Sequence, residues 1–394
     1  MKSNDDHAPR RRLTVSLNDR AFRAIAIQVV VVSLVAAVGW YLVANTLRNL
    51  DLRGIATGFA FLGREAGLPI AESPIAYAPT DDYGRALLIG VLNTLKVAAI
   101  GIVLATVLGT AIGIARLSKN WLLARVSAIY VEVVRDLPLL LQLLFWYTLL
   151  QILPGPRGAL QPVPGVYLSN RGLLFPSMVW DRAHLAILGL AVLGLTLTIV
   201  YRRFARAAQL RDGRHRPVWP LACLLMVAAP AGAWAALGLP VEIDVPVLKG
   251  FNFRGGVLVS PEFFALLFGL VTYTAAFIAE IVRAGILSVS PGQWEAARAL
   301  GLPTGLILGR IVLPQALRVI VPPLTSQYLN LTKNSSLAVA IGYQDIVSIA
   351  NTTLNQTGQA IEGIAIIMAV YLSISLSISL FMSWFDHHVA LKGR

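Results

Sequence analysis

Along the chain, long uninterrupted apolar runs alternate with short segments rich in arginine, proline and glycine. A helix needs about 20 apolar residues to cross a bilayer. Runs of that order lie at roughly 24–44, 87–115, 126–153, 183–201, 218–239, 262–287, 319–345 and 363–385, and they predict eight spans. Several exceed the minimum length, which predicts tilt or a break within them. The first, AIAIQVVVVSLVAAVGWYLVA, follows a basic tail as a signal peptide does. It is longer than the usual apolar stretch of such a peptide and lacks a small-residue cleavage site, so it reads as a retained anchor. No repeat of fixed period is visible. The expected fold class is an all-α polytopic membrane protein with about eight transmembrane helices.

Composition agrees with the pattern. The 394 residues are 56% hydrophobic and 13% charged, against about 25% charged in an ordinary soluble domain. The net charge of +13 would raise nucleic acid as a partner of a soluble protein; here it asks on which side of a membrane the cations lie, and no nucleic-acid partner is expected. With a cytoplasmic N-terminus, 21 Lys and Arg fall inside and 9 outside, leaving Lys96, Arg135 and Lys333 within spans. The inside set includes the tail 1–23, the arginine-rich loop Arg202, Arg203, Arg206, Arg211, Arg214 and Arg216, and the C-terminal Lys392 and Arg394. Both termini are therefore assigned to the cytoplasm. The outside segment PGPRGALQPVPG reads as turns on the membrane surface. The single cysteine, Cys223, forms no internal disulfide.

Some chemistries have no residues to carry them. There is no G-x-x-x-x-G-K-[ST] stretch, so the chain has no recognisable phosphate-binding loop and no cofactor of its own is expected. His7, His184, His215, His387 and His388 lie in tails or near span ends, which leaves no embedded cluster for a metal or a general base.

Between the sixth and seventh spans, SVSPGQWEAARALGLPTGLILGRIVLPQALR carries helix boundary signals. Ser290 can cap, Pro291 suits the first helical position, and Gln293 completes a capping box. Gly301 and Pro303 stop the helix. A helix over about 291–300, about 15 Å long at about 1.5 Å per residue, is too short and too polar to span. Physical reasoning alone favours an ordinary surface connector.

The residues Glu295-Ala296-Ala297, Gly301 and Ile311-x-Leu313-Pro314, with three and nine positions between the groups, resemble the EAA signature of membrane subunits of bacterial ABC importers. The flanking YTAAFIAEIVRAGI, VVRDLPLLLQLLFWY and LNTLKVA are similar to polar amino-acid permeases of the histidine/glutamine type, over about 87–153 and 262–385. The enlarged form resembles the larger permease of general L-amino-acid or glutamate/glutamine/aspartate/asparagine importers. The resemblance implies that five spans form a type I importer core in the bacterial cytoplasmic (inner) membrane. It implies coupling to a cytoplasmic ATPase dimer through Glu295, Ala296, Ala297 and Gly301, with ATP and Mg held by that partner. It also implies a second related permease chain or a second copy, and an external or periplasmic amino-acid-binding protein. The chain then divides into 1–86 (tail, first span and external segment), 87–153 (first part of the core), 154–261 (an insertion with two spans and the basic loop), 262–385 (second part of the core, with the coupling loop 288–314) and 386–394 (cytoplasmic tail).

Charged residues at bilayer depth cost about 2.5–3.5 kcal/mol on insertion scales, so each needs a partner or a polar path. Lys96 lies near mid-depth, and its stem can snorkel to the outer interface. Glu132 and Arg135, beside Asp136, have the spacing of a local pair, as do Glu280 and Arg283. In the seventh span, Pro322-Pro323 is expected to weaken helical bonding ahead of a polar block from Thr332 to Ser336. Lys333 can meet a substrate carboxylate, and Asn330, Asn334, Ser335 and Ser336 can bond its polar atoms. Helix-to-helix hydrogen bonding is the alternative for the same residues. An ion-coupled carrier or channel for small polar solutes shares these features but leaves the 295–314 signature without a role. A membrane-embedded enzyme has only Glu132, Arg135 and Asp136 near one interface.

Overall fold

The computed structural model describes residues 20–52, 54, 57–179, 181–213, 216–238 and 242–389. The basic tail 1–19 with His7, and Arg53, Arg214, His215, Lys392 and Arg394, lie outside the described residues. Among the described residues, seven helices are long and apolar enough to cross a membrane.

α1 (Arg20–Leu52) buries none of its apolar window against the rest of the chain. A strap, residues 57–82, then leads to α2 (Tyr83–Ala115), whose first turn is capped by Asp82 accepting from the Arg85 amide. α2 packs along α8 (Pro261–Leu287) with their backbones in near contact. A Cβ on Gly109 would lie 2.7 Å from Ile278 Cβ and 2.8 Å from the Ala275 carbonyl oxygen, and one on Gly113 would lie 2.7 Å from the Ala279 carbonyl oxygen. Small residues permit this approach, and the dispersion contacts it brings hold helices together where lipid offers no hydrophobic drive.

The expected third span, 126–153, is two helices, α3 (Trp121–Asp136) and α4 (Leu139–Gln151). The residue before a proline is driven out of the helical region, and Leu137, before Pro138, is extended at φ −91°, ψ 130°. The Gln142 side-chain amide donates to the Val134 and Leu137 carbonyls at the break.

The segment expected as surface turns, 154–165, holds a 3₁₀ turn (Pro156–Gly158) and the turn at 164–165, with one short strand between them that begins a small sheet. β1 (Leu160–Val163), β2 (Val166–Ser169) and β3 (Gly172–Phe175) are antiparallel. The short β4 (Ser177–Met178) leads into α5 (Arg182–Asp212), which returns through α6 (Trp219–Cys223), a π turn (Leu224–Ala228) and α7 (Ala229–Ala236). β5 (Ile243–Asp244) pairs with β4, and β6 (Val247–Lys249) with β7 (Asn252–Arg254). β8 (Val257–Val259) completes the sheet β1-β2-β3-β8 at the start of α8. Leu168 and Val259 pack there against the cluster of Leu143, Phe263 and Leu266.

Beyond α8, at the end opposite the strap, lie α9 (Pro291–Ala299) and α10 (Thr304–Leu306), then a π turn (Ile307–Val312) and α11 (Leu313–Asn334). Each π turn closely precedes a proline, Pro230 or Pro314. The widened turn relieves the clash of the proline ring with the carbonyl one turn back. Pro322-Pro323 does not interrupt α11; Ile320, Val321 and Leu324 are buried on either side and hold the helix in the core. The helix tightens later, into a 3₁₀ segment (Ser335–Ile341), before α12 (Ile346–Thr357) and α13 (Ala360–Val389).

Asp345, fully buried, caps α12 by accepting from the Ser348 amide at 2.9 Å. Burial pushes its carboxyl up to about 7, against the amide hydrogen bonds that favour its charged form. A raised folded-state value means stability present in acid and lost as pH rises toward 7. Asp345→Asn keeps a capping oxygen without the charge. Thermal unfolding at pH 5, 6, 7 and 8 should show the variant gaining several degrees on the parent as pH rises; parallel curves would contradict the assignment.

Candidate functional site

α9 is a two-turn helix closed at its C-terminus by a Schellman pair. The Leu302 amide donates to the Ala297 carbonyl at 3.2 Å, and the Gly301 amide to the Arg298 carbonyl at 2.9 Å. Gly301 sits at φ +70°, the left-handed conformation this closure needs, with open space where a Cβ would stand. Its requirement within this chain is therefore conformational. The expected capping box does not form. Ser290 occupies the cap position without a side-chain bond, and the Gln293 side chain instead accepts from Gln315 at 3.4 Å. Ala297 is buried in one cluster with Val289, Ile307, Val312 and Ala316, which ties α9 to the foot of α11. Glu295, Ala296 and Leu300 are exposed.

The polar block of α11 separates into two sets. The hydroxyls bond back to their own helix: Thr332 to the Tyr328 carbonyl, Ser335 to that of Thr332 and Ser336 to that of Lys333. Ser335 is fully buried, and Ser336 is partly covered. Asn330 and Lys333 are exposed and Asn334 half-buried. With the exposed Ser326, which the sequence reading passed over, they recur at i, i+4, i+7 and i+8 and share one face of α11.

The charged residues find partners that spacing foretold only in part. Glu280 accepts from Arg283 at 2.6 Å, as expected, and also from Arg116 at the end of α2, so one carboxylate joins α2 to α8. Glu132 and Arg135 form no ion pair among the described residues. Arg135 lies over the Phe277 ring of α8 at 5.0 Å, because an aromatic face on the neighbouring helix competes with a solvated carboxylate. Glu132 and Asp136 are exposed. Lys96 reaches the strap, where its ammonium meets Glu72 at 3.1 Å and the Phe263 ring at 4.1 Å. Sequence reasoning missed Glu72; the apolar, proline-rich text around it carries no periodicity that would point it at α2.

Residues 221–391 match the family described as binding-protein-dependent transport system inner membrane component. Over 391 residues the chain is 50% identical to the putative amino-acid ABC transporter permease protein YhdX of Escherichia coli (strain K12), covering 98% of this chain and 99% of that protein. It is 46% identical to the general L-amino acid transport system permease protein AapQ of Rhizobium johnstonii, covering 96% and 95%. It is 41% identical to the glutamate/glutamine/aspartate/asparagine transport system permease protein BztB of Rhodobacter capsulatus, covering 97% of each. Among solved structures it is similar to an amino acid ABC transporter with histidines, at 21% identity, 78% coverage of this chain, 95% of that chain and a TM-score of 0.46. Matched at this level from end to end, the chain belongs to the permease subunits of amino-acid ABC transporters.

Proposed function

We propose that the chain forms one wall of the translocation path of an ATP-driven amino-acid importer and receives the ATPase stroke on α9. In this reading the strap end faces outside, and α9 and both termini face the cytoplasm. Nucleotide and its magnesium belong to a cytoplasmic ATPase dimer. An external binding protein delivers the amino acid, and a second related permease, or a second copy, closes the path. Residues 87–153 and 262–385 form the working core, and 154–261, with the α5–α7 hairpin and its strands, is an addition to it.

The observation that carries this reading is the face of α11 bearing Ser326, Asn330 and Lys333, exposed in this chain, and the half-buried Asn334, along a helix long and apolar enough to cross a membrane. An ammonium and amides facing hydrocarbon are costly, whereas the same groups facing water or a second permease are stable. α9 supplies the drive. Its buried side shares a cluster with the foot of α11, so displacement of α9 by an ATPase is transmitted into the helix that carries the polar face. A channel or ion-coupled carrier would use the polar face but has no role for α9.

The coupling role predicts an order of substitutions at Gly301. Asn tolerates the left-handed conformation and Val does not. Uptake per folded complex should fall modestly in Gly301→Asn and by about tenfold or more in Gly301→Val, the rate change that about 1.4 kcal/mol produces. ATPase association should weaken in parallel. Full uptake by an intact Gly301→Val complex would sink the coupling role.

The path role predicts that Lys333→Met leaves thermal stability unchanged or higher while uptake per folded complex falls several-fold or shifts between acidic and neutral amino acids. Asn334→Leu should behave alike. If these residues only join helices, stability drops first and uptake falls in proportion to protein lost. Normal uptake per folded complex across several amino acids would place the path elsewhere.

A further inference from the structure

At the strap end, a cleft of about 550 Å³ opens between the strap and the starts of α8 and α12. Its walls include Ile70, Glu72, Tyr77, Glu262, Tyr343 and Gln344. The strap is fixed in place there. Glu72 accepts from the Ser260 amide and hydroxyl and from Lys96, and Asn93 donates to the Glu72 and Gln344 carbonyls at 3.0 and 2.9 Å. The Gln344 side chain binds the Ala71 amide and the Pro69 carbonyl. Glu262, in the first turn of α8, accepts from the Tyr147 hydroxyl at 3.2 Å through one oxygen, and its other oxygen has no hydrogen bond among the described residues.

Two further polar atoms are left over. Tyr343 is 2% exposed and lines the cleft, yet its hydroxyl has no hydrogen-bond partner among the described residues. Burial, and then the neighbouring Glu72 and Asp345 carboxylates, raise it above the usual range for a tyrosine, so it stays protonated beside Glu72. Asn93 is fully buried just beneath, with both amide bonds made to carbonyls and its side-chain oxygen unpaired. Buried polar atoms without partners are uncommon and call for a donor or water to complete them. Lys96 does not line the cleft; its ammonium lies against Glu72 and the Phe263 ring. The cleft is thus lined by Glu72, already paired with Lys96 and Ser260, by Glu262 with one oxygen left over, and by Tyr343 with its unpartnered hydroxyl, beside the apolar surfaces of Pro69, Ile70, Tyr77 and Pro79.

We propose that this cleft is a receiving site for the ammonium group of an amino acid, with Glu262 as the residue that binds it and Glu72 and the Tyr343 hydroxyl completing the site. The inference rests on the importer reading and deepens it. An ammonium has donors for these acceptors and the charge that Glu262, the carboxylate without a cationic partner among the described residues, selects; a carboxylate ligand has neither. Selection for this group admits every amino acid, whatever its side chain. The site lies at the strap end, apart from the polar face of α11, so an amino acid would meet it before entering the path.

The test uses the whole complex of ATPase and permeases in lipid nanodiscs, without binding protein, titrated with glutamine by calorimetry. Methylammonium chloride and the deaminated counterpart of glutamine serve as competitors at matched ionic strength. Glutamine should bind, methylammonium should compete, and the deaminated acid should not. Glu262→Gln, which keeps an acceptor for Tyr147, should weaken glutamine by about tenfold, the scale of one charge-assisted hydrogen bond. Tyr343→Phe, which keeps the ring against Phe263, should weaken it less. It decides the matter if Glu262→Gln fails to assemble. Unchanged affinity in the assembled variants, absence of binding at millimolar glutamine, or indifference to methylammonium would each overturn the proposal. ATP-driven uptake by the parent complex with its binding protein separates the two readings. Uptake with an inert cleft overturns the cleft alone, and failure to take up any amino acid overturns the importer reading.

Discussion

Hydrocarbon offers no hydrogen-bond partner, so a polar group at bilayer depth must be satisfied by the protein or by water. Most of this structure follows from that constraint. Hydroxyls of Thr106, Thr272, Thr332, Ser373 and Ser377 return to a carbonyl of their own helix. Gln142 donates to the carbonyls at the Leu137-Pro138 break, and the two π turns absorb the strain of Pro230 and Pro314 without opening the helices. Glu280 is held between two arginines from different helices, and Lys96 is drawn out to Glu72 on the strap. Among the described residues, the face of α11 with Asn330 and Lys333 is a polar stripe left exposed along a helix long and apolar enough to cross a membrane. That is why it carries the functional reading.

The same constraint explains how movement at one end can reach the other. α2 and α8 are too close at Gly109 and Gly113 for either to slide past the other, and Glu280 joins their far ends. They form a fixed frame. α9, by contrast, is joined to the foot of α11 by a small cluster around Ala297 and by the Gln293–Gln315 contact, next to the widened turn Ile307–Val312. In the proposed importer, a pull on α9 would be delivered beside this widened turn.

Sequence patterns were most informative where one local rule decides the outcome. Apolar runs foretold the long helices, and Gly301 with Pro303 foretold the end of α9, because left-handed closure is a property of one residue. They fell short where distant groups compete. Gln293 was available to the cap of its own helix but turned to Gln315; Arg135 had Glu132 one turn away but lies over Phe277. The prolines at 322 and 323 carry a local penalty that the buried neighbours Ile320, Val321 and Leu324 outweigh. The sheet joining β3 to β8 and the bond from Lys96 to Glu72 depend on segments that long loops bring together, and neither spacing nor periodicity encodes such meetings. Of the candidate site, the α9 face and the Asn330–Lys333–Asn334 face were legible, whereas the cleft with Glu72, Glu262 and Tyr343 was not.

The proposal that the polar face of α11 lines a water-filled path closed by a second permease can be checked by thiol reactivity. Asn330→Cys in a Cys223→Ser background is placed in the assembled complex in proteoliposomes and exposed to a charged, water-soluble thiol reagent. Val35→Cys on α1, whose apolar surface faces outward all round, serves as the lipid-facing reference. Rapid labelling is expected at Asn330→Cys, at a rate that changes when ATP is added, with little labelling at Val35→Cys. Labelling at Asn330→Cys as slow as at Val35→Cys, with and without ATP, would contradict the proposal.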